Sequence, residues 1–265
     1  MNNITLGQYV PLDSKIHRID PRMKIVAMII LMVGVMIVPN FYGYAFLFTV
    51  LTIVILISKL TISYVIKAMK PMLMMMIILF VLNMFLIKTG KLLIDFWFIK
   101  IYSDALSQTL FIVFRLMLMV MVTTLLTATT APLDLTLGIE DLLKPFQKIG
   151  VPAHEIAMII SIALRFIPTL IEDTQRIMNA QASRGVDLQE GSFREKISGV
   201  ISMIVPLFIS SYHRAEDLAD AMEARGYFPG KERTRYKQLK IRFTDWLVLA
   251  ITIVIVVGVQ ATGRF

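Results

Sequence analysis

Five runs of apolar residues, nearly free of charge, decide what this chain can become: 23–38, 41–57, 72–87, 106–126 and 246–259. A helix needs roughly 20 apolar residues to cross about 30 Å of hydrocarbon, so the first run stands at the lower limit. With 57% hydrophobic residues spread this unevenly over 265 positions, the chain reads as an all-α, polytopic membrane protein with about five transmembrane helices. A net charge of +8 would suit nucleic acid in a soluble protein. Here the cations flank apolar runs, as cytoplasmic loops do, and the expected surface partner is the lipid bilayer with no nucleic acid.

In chain order, residues 1–22 form a polar arm, expected in the cytoplasm because Lys15, Arg18, Arg22 and Lys24 cluster there. Asp20-Pro21 suits the start of the first helix, and His17 reads as a polar surface residue. Residues 23–131 are expected to hold four spans, the first two joined by a short external turn at Pro39-Asn40. Lys59, Lys67 and Lys70 return the next loop to the cytoplasm. The mixed stretch from Asp95 through Trp97 to Tyr102 suits a membrane surface. Arg115 lies deep in the fourth span, where it is expected to face other helices or to snorkel, and where an ion pair or carbonyl contact stands against a transport site.

From Pro132 the character changes. Residues 132–242 hold 15 of the 27 lysines and arginines and 14 of the 19 carboxylates, as a cytoplasmic coupling domain would. A short helix from Gly138 to Phe146 leads into two long helical patterns. A basic tract from Lys231 to Arg242 then precedes the last span and short tail, residues 243–265, with Trp246 at the interface.

The two long patterns each contain a proline, Pro168 and Pro206, and stop alike. One ends Ala182-Ser183-Arg184-Gly185, the other Ala224-Arg225-Gly226. Glycine past the last helical residue relieves a left-handed cap, and a cation in the last turn suits the helix dipole, so capping alone accounts for either copy. Two copies suggest more: Arg184 and Arg225 presented on rigid rods to a partner with two acidic sites. The apolar stretches 156–170 and 197–209 are short for spans, and spanning would place the two ends in opposite compartments. They are therefore expected to lie along the cytoplasmic membrane face. In the second polar half, Arg214, Glu216, Asp217, Asp220 and Glu223 alternate with Ala215, Leu218, Ala219 and Met222, giving an apolar stripe with a charged flank.

Catalytic motifs are missing. No phosphate-binding loop occurs, no His-Glu-x-x-His pair or nucleophile elbow is present, and the three histidines are scattered. Neither catalytic residues nor a metal site are expected, and the spans hold no carboxylate to couple protons. A self-contained secondary transporter or channel is the alternative, with Asn83 and Arg115 as its material. Met72, Met74, Met75 and Met76 in the third span read either as ordinary packing or as an adaptable face for membrane partners.

The stretch from Asp13 to Lys24, the segments 142–152 and 161–170, and the two arginine ends together resemble the transmembrane coupling component of energy-coupling factor vitamin transporters. The resemblance implies a subunit that bridges two ATP-binding-cassette ATPases to a membrane-embedded substrate-binding (S) component. It implies that the Ala-Arg-Gly ends dock on the ATPases, where ATP and Mg would bind, with Ser183 standing for the alanine in the first copy. It also implies no cofactor on this chain, and places it in the cell membrane with its N-terminus cytoplasmic. The methionine face would then meet the S component.

Overall fold

A computed structural model describes residues 9–96, 99–150, 152–186, 192–228 and 239–261. Trp97, Phe98 and most of the basic tract 231–242 lie outside the described residues. Apart from a short antiparallel hairpin, β1 (Leu92–Phe96) with β2 (Ile99–Tyr102), the regular elements are helices. They are α1 (Pro21–Ile37), α2 (Phe41–Ile57), α3 (Ile62–Leu86), α4 (Ser103–Thr129), α5 (Pro132–Leu143), a 3-10 turn (Lys144–Ile149), α6 (Ala153–Ser183), α7 (Phe193–Ala224) and α8 (Phe243–Ala261). The chain divides into two compact units, 1–157 with 239–265, and 158–238.

In the first unit α1 packs on α4, α5 and α8, α2 on α4 and α8, and α3 on α4. Each helix commits one stripe to these contacts. On α2 it is Gly43, Tyr44, Leu47, Leu51 and Ile55, while Phe46, Ile53 and Leu56 stay exposed. A helix apolar all round, buried along one side only, is built for surroundings as apolar as its core. Close approach is made by glycine: a Cβ on Gly34 would come within 2.7 Å of Val256 on α8.

Four helices, α3, α4, α6 and α8, are long and apolar enough to cross a membrane by length and composition, and α2 is a shorter apolar helix. The chain is an all-α polytopic membrane protein. Three boundaries differ from expectation, and one of them is that of the short helix expected over 138–146, which forms instead as α5 (Pro132–Leu143) followed by the 3-10 turn. Helix α3 begins at Ile62, so Lys67, Lys70 and Pro71 belong to it rather than to a loop. Its buried stripe, Val65, Met69 and Met76, continues past the proline, and packing on α4 outweighs the missing N–H. Helix α6 is continuous through Pro168 for 31 residues, so length does not keep the stretch 156–170 out of a membrane.

The polar arm is tied to the helices where α1 begins. Asp20 caps α1 by accepting from the Arg22 N–H at 2.9 Å, with Pro21 at the first helical position as expected. The Arg22 guanidinium bonds back to Asp20 and pairs with Asp141 at 3.4 Å, beside α5. Lys24 donates to the Thr129 carbonyl at 2.9 Å, where α4 ends. Asp245, 2% exposed, accepts from the backbone N–H of Asp20 and of Arg242. It therefore joins the start of α8 to the start of α1, a role its place at the edge of an apolar run did not announce.

His17 departs from the expected surface role. It is half-buried; its Nε2 donates to the Val10 carbonyl at 3.1 Å and its Nδ1 accepts from the Ser14 hydroxyl at 2.7 Å. Among the described residues Arg115 meets neither carboxylate nor carbonyl: its Nε donates to the Tyr44 hydroxyl at 3.1 Å, and that hydroxyl in turn reaches the Val35 carbonyl.

Candidate functional site

The second unit is built from α6 and α7. Helix α7 starts with a reciprocal capping box: the Glu195 N–H bonds Ser192 Oγ, and the Ser192 N–H donates to Glu195 Oε2 at 2.7 Å. That bond holds the Glu195 carboxyl below the usual carboxylate range.

The C-terminal ends of the two helices are closed by the same bonds. In α6 the N–H of Val186 reaches the Gln181 carbonyl at 3.1 Å and that of Gly185 the Ala182 carbonyl at 3.0 Å. In α7 Tyr227 reaches Met222 at 2.9 Å and Gly226 reaches Glu223 at 2.8 Å. Both are complete Schellman motifs. Gly185 and Gly226 have φ of +83° and +75°, and a Cβ on either would meet nothing within 4 Å. Backbone conformation alone therefore calls for glycine at both places.

Arg184 and Arg225 occupy the same place in the two motifs, the last half-helical residue before the glycine. Ala182, Ser183, Arg184 and Gly185 are exposed, and so are Ala224, Arg225 and Gly226. Among the described residues neither arginine side chain has a hydrogen bond or ion pair. Each guanidinium can offer a two-pronged donor set to a carboxylate.

The structure does not bring the two arginines together. Two side-chain links join α6 to α7: the Gln181 amide donates to the Ser202 carbonyl at 3.1 Å, and Arg214 Nη2 donates to Asp173 Oδ2 at 2.6 Å. The higher-numbered residue of α6 meets the lower-numbered one of α7, so the helices meet in an antiparallel sense and the arginine ends lead away from the contact in opposite directions. Arg214, expected on the charged outer flank of α7, instead turns to α6 and lies 5.9 Å over the Phe166 ring. Glu216, Asp217, Asp220 and Glu223 remain exposed, Leu218 and Met222 are half-buried, and Ala215 and Ala219 are exposed.

Gln181 and Asp173 were not singled out by sequence reasoning, and Arg214 was read only as part of an exposed charged flank. The one available signal was Pro206, which must leave a carbonyl of α7 without its helical donor.

On α3 the four methionines separate. Met74 is 72% exposed and Met72 and Met75 are partly exposed, whereas Met76 is 5% exposed and belongs to the stripe against α4. Among the described residues no group of histidine, cysteine, aspartate or glutamate could hold a metal ion.

The family model described as CbiQ, cobalt transport protein, matches residues 13–236. The energy-coupling factor transporter transmembrane protein EcfT of Clostridium kluyveri is 46% identical over 257 residues, covering 97% of this chain and 95% of the relative. The proteins of the same description from Thermosediminibacter oceani and Lactococcus lactis subsp. cremoris are 43% and 42% identical, each covering 97% of both chains. On this near full-length similarity, the chain belongs to the CbiQ family, among the transmembrane (T) components of energy-coupling factor transporters.

Proposed function

We propose that this subunit couples ATP hydrolysis on two ATP-binding-cassette ATPases to a membrane-embedded S component, in an importer of vitamins or other micronutrients. Arg184 and Arg225 each enter an acidic socket on one ATPase. ATP and Mg sit on those partners; this chain binds no cofactor and catalyses nothing. The observation that carries the reading is the duplication of one cap: two helices of different sequence end in the same bonds, with the same residue exposed and, among the described residues, unpartnered. A single cap explains a glycine, and a repeated, outward arginine answers to a partner with two equivalent sites.

Residues 132–242 lie on the cytoplasmic side in this reading, with the N-terminal arm. Although α6 is long and apolar enough to cross, Arg165 stands exposed in the middle of its apolar half. An arginine there is costly against lipid and easily accommodated at a membrane surface. Helix α6 also has the strongest amphipathic bias of the described helices, as suits one lying along an interface. On the membrane side, Met72, Met74 and Met75 offer the S component a soft face, with Met76 behind it packed on α4.

Arg184→Glu and Arg225→Glu, singly and together, test the docking. Both variants are expected in the membrane fraction at normal abundance, with co-purifying ATPase reduced and uptake near background in the double variant. Arg→Lys at either place retains part of the activity, since charge survives and the fork does not. Normal uptake by the double charge reversal overturns the reading.

A further inference from the structure

Pro206 has no N–H to give the carbonyl four residues back, which is that of Ser202. Ser202 is half-buried, and its carbonyl would be left an unmet acceptor inside the helix pair. The side-chain amide of Gln181, on the other helix, donates to it at 3.1 Å. Gln181 also supplies the backbone carbonyl that receives Val186 in the α6 cap. One residue thus closes the end of α6 and grips α7.

The ion pair between Asp173 and Arg214 is the second grip. The two side chains are 13% and 28% exposed, so the pair is largely withdrawn from solvent. Its position along the helices is symmetric. Arg184 lies eleven residues beyond Asp173, and Arg225 lies eleven beyond Arg214. Eleven residues are about three turns, a rise of roughly 16 Å that returns nearly to the same helix face. The pair therefore sits midway between the two arginine ends, which face outward from it in opposite directions.

We propose that Gln181 and the Asp173–Arg214 pair are positioning residues that hold α6 and α7 in one register and so set the spacing between Arg184 and Arg225. The inference rests on reading those two ends as docking points. It goes further, because it assigns the distance between the docking points to side chains that touch neither partner. Asp173→Asn leaves the guanidinium of Arg214 over Phe166 without its counter-charge, and Gln181→Leu leaves the Ser202 carbonyl without a donor. Both variants leave the backbone bonds of the two caps intact.

The chain has no cysteine, so a labelled pair is simple to introduce. Ala180→Cys and Ala221→Cys are both exposed, each four residues before its arginine. Spin labels on this pair report the spacing by pulsed dipolar spectroscopy on the purified full chain in lipid nanodiscs, alone and with its co-expressed ATPases. A single narrow distance distribution is expected in the parent. Gln181→Leu and Asp173→Asn each broaden or split it, and Asp173→Glu, which keeps the carboxylate, restores it. Uptake falls with the broadening, by roughly two- to thirtyfold, the range over which substitutions in a coupling path act. A distribution as narrow in Gln181→Leu and Asp173→Asn as in the parent overturns the proposal. Broadening with uptake intact supports the register-holding role and instead overturns the docking reading on which the proposal rests.

Discussion

His17 holds the polar arm through both ring nitrogens, an arrangement that the neutral imidazole with its proton on Nε2 satisfies. Burial pushes its pKa below the ordinary value near 6.5, the nearby Lys24 charge acts the same way, and the Val10 carbonyl and Asp13 act against them. With the folded value lowered, a detached arm binds the proton more readily. Docking is therefore unaffected above the ordinary histidine pKa and weakens as pH falls through it toward the lowered one. Hydrogen exchange of residues 10–18 should accelerate relative to the intrinsic rate over the acid interval that begins at about pH 6.5, and His17→Gln should remove that pH dependence. Exchange that tracks the intrinsic rate across this interval in the parent would refute the assignment. His17 was misjudged from sequence because polarity was visible there and the carbonyl of Val10 was not. Arg115 was better placed: its need for a partner inside the helices was legible, although the partner is a phenol, contributed by the stripe of α2 that begins at Gly43.

At the scale of elements, prolines carry the most information. Helix α7 gives Gln181 an interhelical bond because Pro206 cannot supply an intrahelical one. Restoring that donor should make the glutamine dispensable. In the parent, Gln181→Leu is expected to cost about 1 kcal/mol, and in a Pro206→Ala background close to nothing, a coupling of about 1 kcal/mol in a double-mutant cycle. Thermal unfolding of the four purified chains measures it. Equal costs in both backgrounds would mean that the Gln181–Ser202 bond has no bearing on stability. The existence of the long helices, their polar ends and their caps was readable from periodicity and from the Arg-Gly pairs. Their pairing was not, because Asp173, Gln181 and Arg214 are ordinary polar residues on helices until the antiparallel register sets them opposite one another. Lys67 and Lys70 misled in the other direction: read as loop cations, they lie inside a helix that continues through Pro71.

For the whole molecule, paired docking requires both arginines to stand on the cytoplasmic side of the membrane. Ser183→Cys and Ala224→Cys, each alone in the cysteine-free chain, should react with an impermeant thiol reagent only from the cytoplasmic side. Co-expressed ATPases should protect both. Reaction of Ser183→Cys from outside would show that α6 crosses the bilayer, and would end the paired-docking account. Composition had already disclosed a multi-pass membrane protein, and Asp20-Pro21 had signalled a helix start; the structure builds that cap into a junction, with an ion pair and an ammonium on the carbonyl end of another helix. Sequence could not show that Asp245, more than two hundred residues away, completes that junction. The placement of the Asp173–Arg214 pair has one further consequence. A beam supported at its midpoint has arms of equal length and gives neither end a mechanical advantage. If each end is seated in an ATPase, neither engine has the longer lever about this pair, even where the ATPases themselves are not alike.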